Sequence, residues 1–272
     1  MHPNIDTSDI FEGLSVSEIY QLVNYPLTPH SKVQIASEID NATLARIPFF
    51  RIAEEFLKII QRDEVIKLTP LGALPKKYMV ELYSYKFIED YMIESGITKL
   101  TREQDCNSIQ SARIVCELAG LAKKANGQQT LTKKGKELIK PENRQKLYFS
   151  ILSTFTEVFS WGFNDAYPED PVGQEGWAYS VYLLNKYGGD EHASYFYSEK
   201  YLKLLPHSTQ CFDEGIIDSL SSFHSCYHIR TVERFFVWFG FIPTKVTRTS
   251  LRDSHNHFFY ATDLVHKVFV FV

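Results

Sequence analysis

Residues 107–140 read NSIQSARIVCELAGLAKKANGQQTLTKKGKELIK. In the first part, Ile109, Ala112, Val115, Cys116 and Ala119 recur at helical spacing, and Gly120 stands where a helix would stop. LAKK and QQTLT then make two short strand candidates. They are joined by Asn126-Gly127, a pair that tolerates the positive φ angles of a tight hairpin turn. The stretch closes on L-T-K-K-G followed by a new helical start. The reading is helix, stop, hairpin, helix.

Upstream, FRIAEEFLKIIQR (50–62) carries apolar residues at 52, 53, 56, 57, 59 and 60, the face of an amphipathic helix. VIKLT and PLGALP follow, with Pro75 suited to a helix start. KKYMVELYSYKFIEDYMIESG (76–96) reads as one helix ended by Gly96. ITKL (97–100) reads as a short strand, and Thr101 with Gln104 reads as a cap. Nearer the start, LSVSEIYQLV offers Ser15 and Glu18 at capping-box spacing. Downstream lie a helix through RQKLYFSILSTFTEVFSW, a 15-residue Pro/Gly/acid loop (162–176), and two further helices in GWAYSVYLLNKYGG and HASYFYSEKYLKLLP. The 20 Phe, 16 Tyr and 3 Trp concentrate in the second half, where they call for a large core.

The order of elements through residues 78–140, with E-L-A-G-L at 117–121 and L-T-K-K-G at 131–135, resembles the winged-helix (winged helix-turn-helix) superfamily. L-T-P-L-G at 68–72 repeats the second signature behind the 50–62 helix. A third echo runs from RTVERFFVWFGFI (230–242) to YATDLVHKVF (260–269), where Val265 replaces the glycine. GLSVSEIYQLV with its proline break, taken with these segments, also resembles a bacterial family of repeated winged-helix-like units to which no chemistry is attached. The resemblance implies a mainly α protein of tandem winged-helix-like units, two with a third echo, carrying helical insertions and short β-wings. The expected divisions are 1–77, 78–146 and 147–272.

Net charge is −4, but it is unevenly spread: residues 113–146 carry +6, while the segments on either side carry −5 each. The basic island contains the hairpin. Lys123, Lys124, Lys133, Lys134 and Lys136 are therefore candidate phosphate contacts, and Gln110, Ser111 and Arg113 on the preceding helix are candidate base or backbone contacts. Duplex DNA is the expected partner. A protein partner is the alternative, since winged helices also pack on proteins and the acidic flanks would repel a duplex.

Other chemistries find little support. No phosphate-binding glycine loop, dinucleotide fingerprint, H-E-x-x-H or nucleophile elbow is present, so no catalytic residue and no cofactor are expected. His207, Cys211, His224, Cys226 and His228 lie close in sequence, but at spacings that fit no closed zinc site, and no metal is expected. On α-helical spacing His224 and His228 would share a face. Asp165, Glu169 and Asp170 read as a solvated acidic loop. The four cysteines form no C-x-x-C pair and read as buried thiols. With no apolar run of membrane-spanning length and no signal-like start, no membrane partner is expected, and the expected location is cytoplasmic.

Overall fold

A computed structural model describes residues 11–212, 218–244 and 257–272. The chain is mainly helical and gathers into two units, Glu38–Phe159 and Met1–Ser37 with Ser160–Val272. The contacts therefore divide the chain at 37/38 and 159/160 rather than at 77/78 and 146/147.

Ser15 and Glu18 form the capping box, with Glu18 N–H donating to Ser15 Oγ at 3.3 Å and Ser15 N–H donating to the Glu18 carboxylate at 2.7 Å. These bonds satisfy donors left open at the start of helix α1 (Val16–Asn24). Strand β1 (Val33–Ile35) then leaves for a partner at the far end of the chain.

The unit 38–159 begins with the short α2 (Asn41–Leu44), capped by Asp40, and the amphipathic α3 (Pro48–Asp63). Helix α3 buries Phe49, Phe50, Ile52, Ala53, Phe56, Leu57, Ile59 and Ile60. Each fully buried apolar side chain of this size stabilises by about 1.5–3 kcal/mol. Strand β2 (Ile66–Lys67) and helix α4 (Lys76–Ser84) follow. The single helix expected over 76–96 is broken, because Lys86 takes a left-handed φ of +53°. A separate α5 (Tyr91–Glu94) restarts at Asp90, whose carboxylate accepts the N–H groups of Met92 and Ile93. Residues 97–100 form no strand. The cap at Thr101 comes from Asp105 rather than Gln104, since Asp105 accepts both the N–H and the hydroxyl of Thr101 at 2.9 Å.

Helix α6 (Asn107–Leu118), strands β3 (Ala122–Ala125) and β4 (Gln128–Leu131), helix α7 (Lys133–Leu138) and helix α8 (Arg144–Glu157) complete this unit. Asn126 (φ +52°) and Gly127 (φ +68°) supply the hairpin turn. The sheet order is β2-β4-β3, with Ile66 opposite Gln129 and Ala122 opposite Leu131, both pairings antiparallel. Phe155 of α8 meets Phe49 edge-on at 5.0 Å, and Arg144 donates to buried Glu54 of α3 at 2.6 Å.

This arrangement changes the meaning of the two L-T-x-x-G stretches. Both belong to one unit, at the ends of two strands that pair with each other. In 131–135, Thr132 caps α7, accepting the Gly135 N–H at 3.0 Å. A Cβ on Gly135 would meet the Leu121 carbonyl oxygen at 2.0 Å, so the glycine is needed for a close approach. In 68–72 the threonine closes a turn, with Gly72 N–H donating to Thr69 O at 2.8 Å, and Gly72 is needed for its φ of +73°. The same letters serve two different conformations.

The other unit resumes with α9 (Trp177–Tyr187), β5 (His192–Ala193), α10 (Ser194–Leu204) and α11 (Ser219–Tyr227). Helix α11 runs on into a π-helical segment, His228–Phe236, marked by the i→i+5 bond from Val237 N–H to Val232 O at 3.0 Å. Strand β6 (Phe258–Phe259), α12 (Leu264–Val268) and β7 (Phe269–Phe271) end the chain. Strand β5 pairs with β6 and β1 pairs with β7, both antiparallel. The expected aromatic core is here: Trp161 and Trp177 stand 4.9 and 5.7 Å from Phe235, and Phe241 stands 5.3 Å from Phe269.

Candidate nucleic-acid interface and a histidine cluster

The eight residues singled out in the basic island separate into two groups. Lys123, Lys124, Lys133, Lys134 and Lys136 are exposed on β3 and the start of α7. Two of them are engaged with backbone. Lys124 donates to Gly72 O at 2.9 Å, and Lys134 donates to Ala119 O at 2.8 Å, capping the carbonyl end of α6. The side chains of Lys123, Lys133 and Lys136 have no ion-pair or hydrogen-bond partner among the described residues.

The helix-borne residues are placed otherwise. Arg113 is 8% exposed and lies between two carboxylates. Its Nη2 donates to Glu103 Oε2 at 3.1 Å, its Nε to Glu103 Oε1, and its Nη1 to Glu117. Glu103 is itself buried and accepts the Leu74 N–H at 3.1 Å. Burial pushes the Arg113 pKa down, but the Glu103 and Glu117 carboxylates outweigh it and raise it above the ordinary value. The guanidinium is an internal tie between α6 and the turn before it, and base reading by Arg113 is corrected to a structural role. Ser111 is 1% exposed and donates to Asn107 at 3.3 Å, so it too is removed from any ligand. Gln110 is half-buried, with its Oε1 inside. The face α6 leaves open consists of Asn107, Gln110, Ile114, Glu117 and Leu118, with no cation.

In the second unit the five clustered His and Cys residues go separate ways. His207 is exposed and meets Glu175 at 3.0 Å. Cys226 is buried, and burial pushes its thiol up to about 12. His224 and His228 do share a face, as α-helical spacing requires, and both meet serines on α10. His224 Nδ1 lies 2.7 Å from Ser198 Oγ, and His228 Nδ1 lies 2.9 Å from Ser194 Oγ. Beyond His228 the winding changes. Residues five apart on an α-helix point about 140° from one another, yet here Glu233 Oε1 comes within 3.4 Å of His228 Nε2. His257 Nδ1 stands 3.0 Å from that same nitrogen. His255 lies outside the described residues.

The 162–176 loop is stapled from beneath. The side chains of Arg230 and Asp165 are both fully buried, and Arg230 Nε donates to Asp165 at 2.6 Å. Arg230 also donates to the carbonyls of Pro168 and Asp170, and Arg234 to those of Trp161, Phe163 and Asn164. Asp165 is thus an internal counter-ion rather than part of a solvated acidic cluster.

Among the described residues no helix is long and apolar enough to cross a membrane. Comparison with protein-family models, curated proteins and solved structures returned no match.

Proposed function

We propose that both units follow a winged-helix plan, and that the first contacts nucleic-acid phosphates through its hairpin. Two sets of facts support the plan. The order α3, β2, α4, α6, hairpin has its counterpart in α9, β5, α10, α11, β6. A shared turn then follows each third helix. Gly120 and Gly240 take φ of +67° and +73°. Leu121 N–H donates to Cys116 O at 2.9 Å, and Phe241 N–H donates to Phe236 O at 2.8 Å. The Thr132 hydroxyl donates to Gly120 O at 2.6 Å, and the Thr262 hydroxyl to Gly240 O at 2.6 Å. On this reading the third echo of the sequence is the second copy, and the L-T-P-L-G stretch belongs to the first.

The functional part rests on one observation. The side chains of Lys123, Lys133 and Lys136 stand exposed, without a partner among the described residues, on one hairpin and the helix start beside it. Cations so placed neutralise phosphates and release counter-ions, which gives salt-steep binding that tolerates sequence. Base reading is not expected, because Arg113 is consumed internally. The test is a titration of the full chain with two duplexes of unrelated sequence over a range of salt. Similar affinities and a negative log–log slope are expected. Absence of salt-sensitive binding at low ionic strength would end the proposal. A protein partner would then lead, favoured by Leu71 (94% exposed) and by exposed Tyr85, Tyr91, Met92 and Ile97.

A further inference from the structure

We infer that His228, Glu233 and His257 form a binding site for a divalent transition-metal ion such as zinc or iron(II). One donor atom from each lies within 4.8 Å of the others. The separations suit a shared ion. Ligands about 2.1 Å from one metal at tetrahedral or octahedral angles stand about 3.0–3.4 Å apart. Here His228 Nε2 lies 3.0 Å from His257 Nδ1 and 3.4 Å from Glu233 Oε1.

The surroundings supply what such a site requires. Ser194 meets both histidines: its hydroxyl touches the His228 ring at Nδ1, 2.9 Å away, and its backbone N–H donates to the backbone carbonyl of His257 at 2.9 Å. In the tautomer that donates Nδ1–H to the serine, His228 turns the lone pair of Nε2 toward the cluster. That hydrogen bond to the outer nitrogen is what fixes tautomer and ring plane in metal-ligating histidines. The pairing of β5 with β6 holds the residue after His257 in register with Ala193. The π-helical winding brings Glu233 round to the face of His228, and π-helical turns concentrate at functional sites.

In that tautomer a divalent cation between Nε2 and the carboxylate 3.4 Å away would take up a lone pair from each. Two imidazoles and one carboxylate are a donor set that zinc and iron(II) accept, while calcium and magnesium prefer all-oxygen shells. The two histidines are buried, whereas the Glu233 side chain is 41% exposed. The site thus opens on the carboxylate side and leaves coordination positions for water, the design of reactive rather than closed structural centres.

The experiment uses the full, untagged chain, stripped by chelator and titrated with zinc and with cobalt(II) by calorimetry and visible absorption. One ion per chain is expected. His257→Ala should weaken binding more than 100-fold, Ser194→Ala about 10–100-fold with unchanged stoichiometry, and His207→Ala not at all. Circular dichroism checks that each variant folds. If His257→Ala does not fold, Glu233→Gln takes its place and should weaken the ion and alter the cobalt spectrum. Failure of the stripped protein to take up one ion at micromolar metal would overturn the site. So would His257→Ala or Glu233→Gln binding as the unaltered chain does, since the cluster would then be a hydrogen-bonded histidine pair alone.

Discussion

The turn after α6 and the turn after the π-helical segment make the same bonds, from Thr132 to Gly120 and from Thr262 to Gly240, each at 2.6 Å. What surrounds them is opposite. In the first unit α6 hides its one cation, Arg113, and the hairpin displays lysines. In the second, α11 and the π-helical segment draw histidines, a buried arginine and an aromatic core inward. One backbone device thus carries an outward-facing electrostatic surface in one place and an inward-facing polar cluster in the other. Frame and surface are set by different residues.

The largest expected effect lies in the inward-facing unit. Replacing Arg230 by Ala leaves Asp165 buried and unpaired, and should cost about 3–5 kcal/mol. Trp161, Trp177 and Trp238 all belong to this unit. Their fluorescence in a urea titration therefore reports its unfolding. Arg113→Ala should cost a similar or smaller amount, since Glu117 is part-exposed, and should appear mainly in the helical circular dichroism signal. The paired change Arg230→Met with Asp165→Leu should recover only part of the loss, because it removes both charges but takes the arginine donor from the Pro168 and Asp170 carbonyls. Loss of tryptophan signal on Arg113→Ala alone would contradict the separate assignment of the two networks.

Next in size is the glycine that follows the first of the two turns. At Gly135 a Cβ meets the Leu121 carbonyl at 2.0 Å, so Gly135→Ala must displace backbone and should cost about 1–3 kcal/mol. At Gly120 a Cβ meets open space and only the left-handed φ is at stake, about 1–2 kcal/mol. In the second unit Val265, three residues after Thr262 as Gly135 is after Thr132, is fully buried. Denaturation midpoints of the two alanine variants, compared by circular dichroism, check the ranking. A harmless Gly135→Ala would mean that α7 does not need its close seat on Leu121.

How much of this was legible in the sequence depended on range. Local signals held where a residue's own conformation decided the outcome. Ser15 and Glu18 closed their box, Asn126-Gly127 turned the hairpin, and the 48–63 helix kept its apolar face. Long-range pairing was not legible. Strand β2 has two residues, too few for a pattern, and only its partner β4 makes it a strand. The letters L-T-x-x-G matched at 68 and 131 because threonine and glycine suit turns and caps alike, while the turn that shares the Thr132 bond, at Thr262, lacks the glycine three residues on. Arg113 looked available because a sequence does not display Glu103 on the turn behind it. The histidine cluster was hidden by the π-helical winding, since α-helical spacing places position 233 on the wrong side of 228.

The shared turn itself gives a smaller, matched test. Thr132→Ala removes the cap on α7 and the bond to Gly120, and should cost about 1–2 kcal/mol. Thr262→Ala removes the bond to Gly240 and also the hydroxyl that accepts the Leu264 N–H at 3.3 Å, so a loss of similar size is expected. Thermal unfolding of the two variants measures both. If Thr262→Ala is silent while Thr132→Ala is not, the likeness of the two turns is geometric without being energetic.

The smallest effect on stability is expected from the lysines, and there it should coincide with the largest effect on binding. Exposed lysines without partners usually matter by less than about 0.5 kcal/mol, so the triple change of Lys123, Lys133 and Lys136 to Ala should leave the unfolding midpoint almost unmoved. Each lysine that neutralises a phosphate contributes about 0.9 to the slope of log affinity against log salt, so the triple variant should flatten that slope by up to about 2.7. Affinity should fall alike for unrelated duplexes. Lys134 offers the internal contrast, because its ammonium already caps Ala119 O. Lys134→Ala should therefore lower stability by a few tenths of a kcal/mol while changing the slope less than Lys133→Ala does. If Lys134 instead dominates the slope, the ammonium leaves the helix end on binding, and stability and binding at this hairpin draw on the same charge. If neither lysine moves the slope, the hairpin is not the phosphate contact, and the outward-facing surface of the first unit serves a partner other than nucleic acid.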